Sequence, residues 1–245
     1  MRSSRDKKTT ETESFQRFSL HFRIQHIVLF LSVIALILTG IPLWFSLGTP
    51  GDIRWSQDTI RALGGITIYR QIHLIAAIAL IMVSLWHLTY LIFVREGRRE
   101  FAELLPRWKD FTDLGQNSLY FLGLRKVKPR FDRYTYYEKF DYWAVYWGCV
   151  IMIGTGTVLW FPEITERYLP WLTYTLAVEI HADEAVLAAV ALFVWHFYNV
   201  HFKPSRFPGS LSWWHGRTTG EEMMNDHPME YEKLAKKSKS KNEPH

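Results

Sequence analysis

The 245-residue chain contains one cysteine. Cys149 cannot close an internal disulfide. No C-x-x-C-H stretch exists for covalent haem, and no cysteine set could hold an iron–sulfur cluster or a structural zinc ion. Cys149 itself reads as a small packing residue. Charge is missing just as selectively. The chain has 29 Lys and Arg and 24 Asp and Glu. None falls within Ile24–Leu47, Gln71–Val94, Tyr142–Pro162 or Ala185–Phe202. The mean hydropathy of −0.08 therefore averages apolar runs and charged connectors, and an ordinary soluble domain is excluded.

A helix needs about 20 apolar residues to cross the hydrocarbon layer. The first three stretches reach that length, and the fourth does when extended outward. The reading is an all-α membrane protein, a four-transmembrane-helix bundle with spans at 24–47, 71–94, 142–162 and 178–202. The first run is too long, and lacks the small-residue site, for a cleavable signal peptide. Of the 29 Lys and Arg, all but Arg54, Arg61, Arg70 and Arg167 lie before the first span, between the second and third, or after the fourth. Both termini are therefore expected in the cytoplasm of a multi-pass protein of the bacterial inner membrane. The basic residues flank spans, and no nucleic-acid partner is expected.

Between the second and third spans, Glu100–Leu124 interleaves Phe101, Leu104, Leu105, Trp108, Phe111, Leu114, Leu119 and Phe121 with charges. That pattern predicts an interfacial amphipathic helix, or a docking site for a soluble partner. Residues 1–230 read as one membrane domain, and the Lys-rich stretch 231–245 as a disordered tail.

Ten histidines are present, six of them in or beside the spans: His26, His73, His87, His181, His196 and His201. Ionisable groups at membrane depth are costly and point to function, although one such histidine can serve as an interhelical hydrogen-bonding group. His73 and His87 are about 21 Å apart along one helix, and His181 and His196 about 22 Å along another. The second and fourth spans run in the same direction, so these residues form an outer and an inner level. Paired imidazoles from neighbouring helices can hold a haem iron axially. Arg23 and Arg70 each precede a histidine by three residues, one helical turn toward the surface. They suit haem propionates or simply snorkel to the interface. Thr39 with Gly40, and Gly148, Gly154 and Gly156, would let a flat macrocycle or a neighbouring helix approach closely. Asp183 and Glu184 read as acids at the outer start of the fourth helix, where the helix dipole favours them, or as a proton or propionate contact near an outer haem.

Arg-Phe-x5-Arg-Ile-Gln-His followed by Thr-Gly-Ile-Pro resembles the first helix of the cytochrome b (gamma) subunits of membrane-bound formate dehydrogenases. Thiosulfate reductase and nickel–iron hydrogenase cytochromes b are more distant relatives. The likeness continues through Tyr134–Trp143, Gly154–Phe161, Ile180–His181, His196–His201 and Asp226-His227-Pro228-x-x-Tyr231. The resemblance implies a di-haem b subunit joining a quinone or menaquinone pool to a periplasmic redox subunit with iron–sulfur clusters or c-type haems. By motif position the outer haem takes His73 and His181, and the inner haem His26 and His196. A quinone would sit beside Tyr134, Thr135, Glu138 and Lys139, with Glu138 as proton acceptor or as the ion-pair partner of Lys139 or Arg133.

The interval from His181 to His196 is one residue longer than in the formate dehydrogenase branch. Depth alone pairs His87 with His196 instead, leaving His26 and His201 for a third haem. Two other readings stand beside the relay: a His-lined transporter of divalent metal, and a haem-bearing anchor without a quinone site. Electron direction, the partner's substrate and the oligomeric state are open at this point.

Overall fold

The structure is a computed structural model that describes residues 14–46, 61, 64–203, 206–207 and 209–242. Arg2, Arg5, Lys7, Lys8, Arg54 and His245 lie outside the described residues.

The described residues begin with a short strand, β1 (Ser14–Gln16), and the long helices α1 (Leu20–Ser46) and α2 (Ile66–Phe93). The connector then forms α3 (Arg95–Leu104) and α4 (Trp108–Phe121), and α5 follows over Tyr136–Trp160. After α6 (Pro162–Tyr168) comes α7 (Leu172–Val190), prolonged by π-helical segments at Ala191–His196 and Tyr198–Phe202. The tail holds α8 (Ser212–His215), β2 (Arg217–Thr219), α9 (Gly220–Asp226) and α10 (Pro228–Asn242).

Among the described residues, three helical segments are long and apolar enough to cross a membrane: Leu20–Phe45, Ile66–Phe93 and Tyr136–Trp160. A helix satisfies every backbone group internally, which is what hydrocarbon demands. Side chains such as Leu31, Ile75, Met82, Leu187 and Val194 are exposed, the lipid-facing pattern of a helical membrane protein. The expected fourth span is helical from Leu172, six residues earlier than 178, and its C-terminal part is π-helical. A π turn bonds i to i+5 and takes up an extra residue. The early start also corrects the placing of Asp183 and Glu184. They lie beyond the first turn of α7, where the dipole argument no longer applies, and Glu184 Oε1 lies 3.0 Å from where a Cβ on Gly148 would stand.

The connector is two helices rather than one. Pro106 biases Leu105 toward extended backbone, and Leu105 adopts φ −63°, ψ 138°. Helix α4 then restarts at Trp108, with the Arg107 amide donating to Asp110 Oδ2 at 2.6 Å. The tail likewise departs from the disorder expected of 231–245. It is helical through Asn242, led by Pro228 at the first helical position, with Glu230 tied to Arg17 and Arg133.

The chain divides into two units. One comprises Ile24–Tyr90 and Val145–Trp195, the apolar middles of the long helices. The other comprises Met1–Arg23, Leu91–Ala144 and His196–His245. In the second unit β1 pairs antiparallel with β2, Ser14 opposite Thr219 and Gln16 opposite Arg217. Gly216, at φ +76°, makes the close approach possible. A Cβ there would lie 2.7 Å from Phe18 O, and its carbonyl accepts the Arg17 and Phe18 amides at 2.8 and 3.1 Å.

Candidate haem site and the charged cluster

In the apolar unit, α2 carries His73 and α7 carries His181, and their ring centroids stand 6.4 Å apart. Each ring is held by a threonine from another helix. Thr39 Oγ1 on α1 lies 2.9 Å from His73 Nδ1, and Thr155 Oγ1 on α5 lies 2.8 Å from His181 Nδ1. Both hydroxyls also donate to the carbonyl four residues back, Ala35 O at 2.6 Å and Ile151 O at 2.7 Å. A hydroxyl has one proton. With that proton spent on the carbonyl, each Thr oxygen accepts Nδ1–H, which leaves the Nε2 lone pair of both histidines for a ligand.

Glycine follows each threonine. A Cβ at Gly40 would meet His73 Cε1 at 3.5 Å, and one at Gly156 would meet His181 Cε1 at 3.2 Å. The sequence reading named Thr39 and the glycines only as small residues and passed over Thr155. The signal available was the Thr-Gly dipeptide recurring in the first and third spans.

His73 and His181 would hold a haem iron through the Nε2 atoms that the threonine contacts leave available, and glycine at 40 and 156 leaves room beside each ring. Among the described residues no group of three or more His, Cys, Asp or Glu stands together to cage a bare metal ion.

The other candidates are placed separately. His26 is half-buried on α1, and Arg70 is exposed near the start of α2. Arg23 Nε is buried without a hydrogen-bond partner in the structure, the condition expected of a donor awaiting an anionic oxygen. His87 Nδ1 meets Gln25 Oε1 at 2.8 Å, and the Nε2 of Gln25, itself 4% exposed, has no partner in the structure. Gln25 was legible in Arg-Ile-Gln-His yet assigned no role from sequence. In the other unit, His196 Nδ1 lies 3.5 Å from Asp141 Oδ2. His201 packs against Gly209, where a Cβ would lie 2.5 Å from its Nδ1.

The residues expected near a quinone belong to a charged cluster in that same unit. Thr135, fully buried, caps α5: its amide donates to Glu138 Oε2 at 2.9 Å and the Glu138 amide to Thr135 Oγ1 at 3.2 Å. This reciprocal pair is a capping box. Glu138 then takes Arg206 at 3.1 Å and Arg17 at 3.9 Å, with His227 Nε2 at 3.6 Å. Its ion-pair partners are thus Arg206 and Arg17, where Lys139 or Arg133 was expected. Lys139 instead binds Asp110 at 2.8 Å. Tyr134 donates to Glu100 Oε2 at 2.8 Å, and burial pushes its phenol above the ordinary range. Arg133 grips Glu100 with two 2.7 Å bonds and reaches Glu230 at 2.7 Å. Arg17 meets Glu230 at 2.8 Å. Asp226 holds Lys203 at 2.9 Å and Arg206 at 2.7 Å. Burial alone would raise the Asp226 carboxyl, but Arg206 and Lys203 outweigh it and hold it at about 2. Four cations (Arg17, Arg133, Lys203 and Arg206) thus face four anions (Glu100, Glu138, Asp226 and Glu230), so the cluster is neutral as buried charge must be.

Long apolar helices around two threonine-held imidazoles define a membrane b-type cytochrome. A family model described as prokaryotic cytochrome b561 matches residues 17–212, and the chain belongs to that family of haem b-binding, electron-carrying membrane proteins. No curated protein matches the chain.

Proposed function

We propose that the chain is a di-haem b subunit of a respiratory oxidoreductase in the bacterial inner membrane. It carries electrons between a quinone or quinol near the cytoplasmic side and a periplasmic redox subunit. His73 and His181 hold the outer haem, and His26 and His196 the inner, with Arg23 and Arg70 toward propionates. Haem b, when bound, supplies one-electron iron chemistry, and the protein tunes it through axial ligands, hydrogen bonds and burial. The observation that carries the reading is the His73–His181 spacing of 6.4 Å with both Nδ1 atoms engaged by threonine.

Oxidising a quinol releases two electrons and two protons, and Glu138 is proposed to accept one of the protons beside Tyr134, Thr135 and Lys139. The absence of cysteine ligands means that iron–sulfur or c-type centres belong to the periplasmic partner. Four crossings, cytoplasmic termini and a membrane-surface location for α3 and α4 complete the proposal.

The test is a dithionite-minus-oxidised spectrum of the purified chain with haem quantified. A b-type α band at two haems per chain is expected; no such band sinks the reading and revives the His-lined transporter. The Gln25 contact favours a second reading of the inner level, with His87 as ligand in place of His26. Comparing haem content in H26A and H87A decides it, since only the true ligand's variant loses the inner haem.

A further inference from the structure

The two outer histidines repeat one local design on two helix pairs: Thr39 with His73, and Thr155 with His181. In each, the threonine hydroxyl donates to the carbonyl four residues back and makes a longer contact three back, 3.3 Å to Leu36 O and 3.5 Å to Met152 O. The sequence separations differ, 34 residues in one case and 26 in the other. Helix packing brings the same arrangement together in both places.

We infer that Thr39 and Thr155 are positioning residues that hold the outer haem at a lower midpoint potential than two unsupported imidazoles would give. The inference rests on the reading of His73 and His181 as the axial pair. An imidazole whose Nδ1–H is donated gains anionic character, so Nε2 becomes a stronger donor, and a stronger donor favours ferric over ferrous iron. A hydroxyl that is already donating to a carbonyl is polarised into a better acceptor. Thr39 is 5% exposed, so water does not compete for the bond. Both threonines act on one iron in the same direction, and their effects should accumulate. At the second site Gly156 admits the ring edge that this hydrogen bonding demands, since a Cβ there would lie 3.2 Å from His181 Cε1.

The experiment is a potentiometric titration of the purified full-length chain, following the α band, with electron paramagnetic resonance of the oxidised protein. Thr39→Val and Thr155→Val keep the side-chain shape and remove the acceptor. Each should leave both haems bound and raise the outer midpoint, with the double variant rising further. Thr39→Ser and Thr155→Ser should restore the wild-type midpoint. Should a Val variant fail to assemble, Thr39→Ala and Thr155→Ala carry the same titration. Haem-loaded variants that titrate as wild type, or at lower potential, overturn the inference. A His73→Ala protein with full haem content and unchanged midpoints overturns instead the axial assignment beneath it.

Discussion

Asp226→Asn removes the anion shared by Lys203 and Arg206, and its cost follows from the Asp226 carboxyl. That group is displaced from 3.8 to about 2, and each unit is worth about 1.4 kcal/mol. Its charged form therefore stabilises the docked tail by about 2 kcal/mol. The carboxylate side chain is 1% exposed, so solvent does not screen the pairs, and a broken buried pair can cost about 3–5 kcal/mol. The sign follows from the depressed folded value. The contribution is complete above the unfolded value near 4 and disappears as pH falls through about 2. Hydrogen exchange of the tail in detergent, read at amides of Gly220–Asp226 and the start of α10, measures its opening. At neutral pH the variant should open at least roughly 30-fold more often, the equivalent of about 2 kcal/mol. Wild-type opening should rise only below about pH 4, while the variant loses this contribution to the pH dependence. Equal exchange in both proteins at neutral pH would refute the assignment of Asp226 as the tail's anchor.

Gly156→Ala puts a Cβ 3.2 Å from His181 Cε1, whereas Gly40→Ala meets His73 at an ordinary 3.5 Å. The first should disturb the outer haem's resonance spectrum, and the second should leave it near wild type. Glu138→Gln keeps the capping bonds but removes a charge shared with Arg206 and Arg17. Quinol-driven haem reduction should slow by an order of magnitude or more while dithionite still reduces both haems, a contrast read by stopped-flow absorbance. Lys139→Met leaves Asp110 without its cation, and should destabilise the connector by about 3 kcal/mol, visible as faster proteolysis within 95–124.

What the residues disclosed and what they concealed differ by range. Charge-free runs mark the apolar helices directly, because a single Lys in hydrocarbon is costly. The two histidine levels are an expectation from helical rise alone. The threonine that each outer ring would choose does not follow from it, since a hydrogen bond over 34 or 26 residues depends on which helices neighbour one another. Pro106 marks the break between α3 and α4, whereas the amphipathic pattern runs straight through it. The tail failed for another reason. Its Lys-rich composition argues for disorder, but three residues before the Lys run, Glu230 meets the buried Arg17 and the half-buried Arg133, and one tertiary anchor outweighs local composition. The partners of Glu138, Arg206 and Arg17, lie 68 and 121 residues away in sequence, beyond the reach of any local pattern.

The most direct test of the account is haem stoichiometry in His73→Ala and His181→Ala, measured with redox titration of the haem that remains. Both variants should lose one and the same haem, and each should keep the other at its wild-type midpoint. Full haem content in either variant, or loss of different haems from the two, would contradict the proposal that these histidines hold one iron between them.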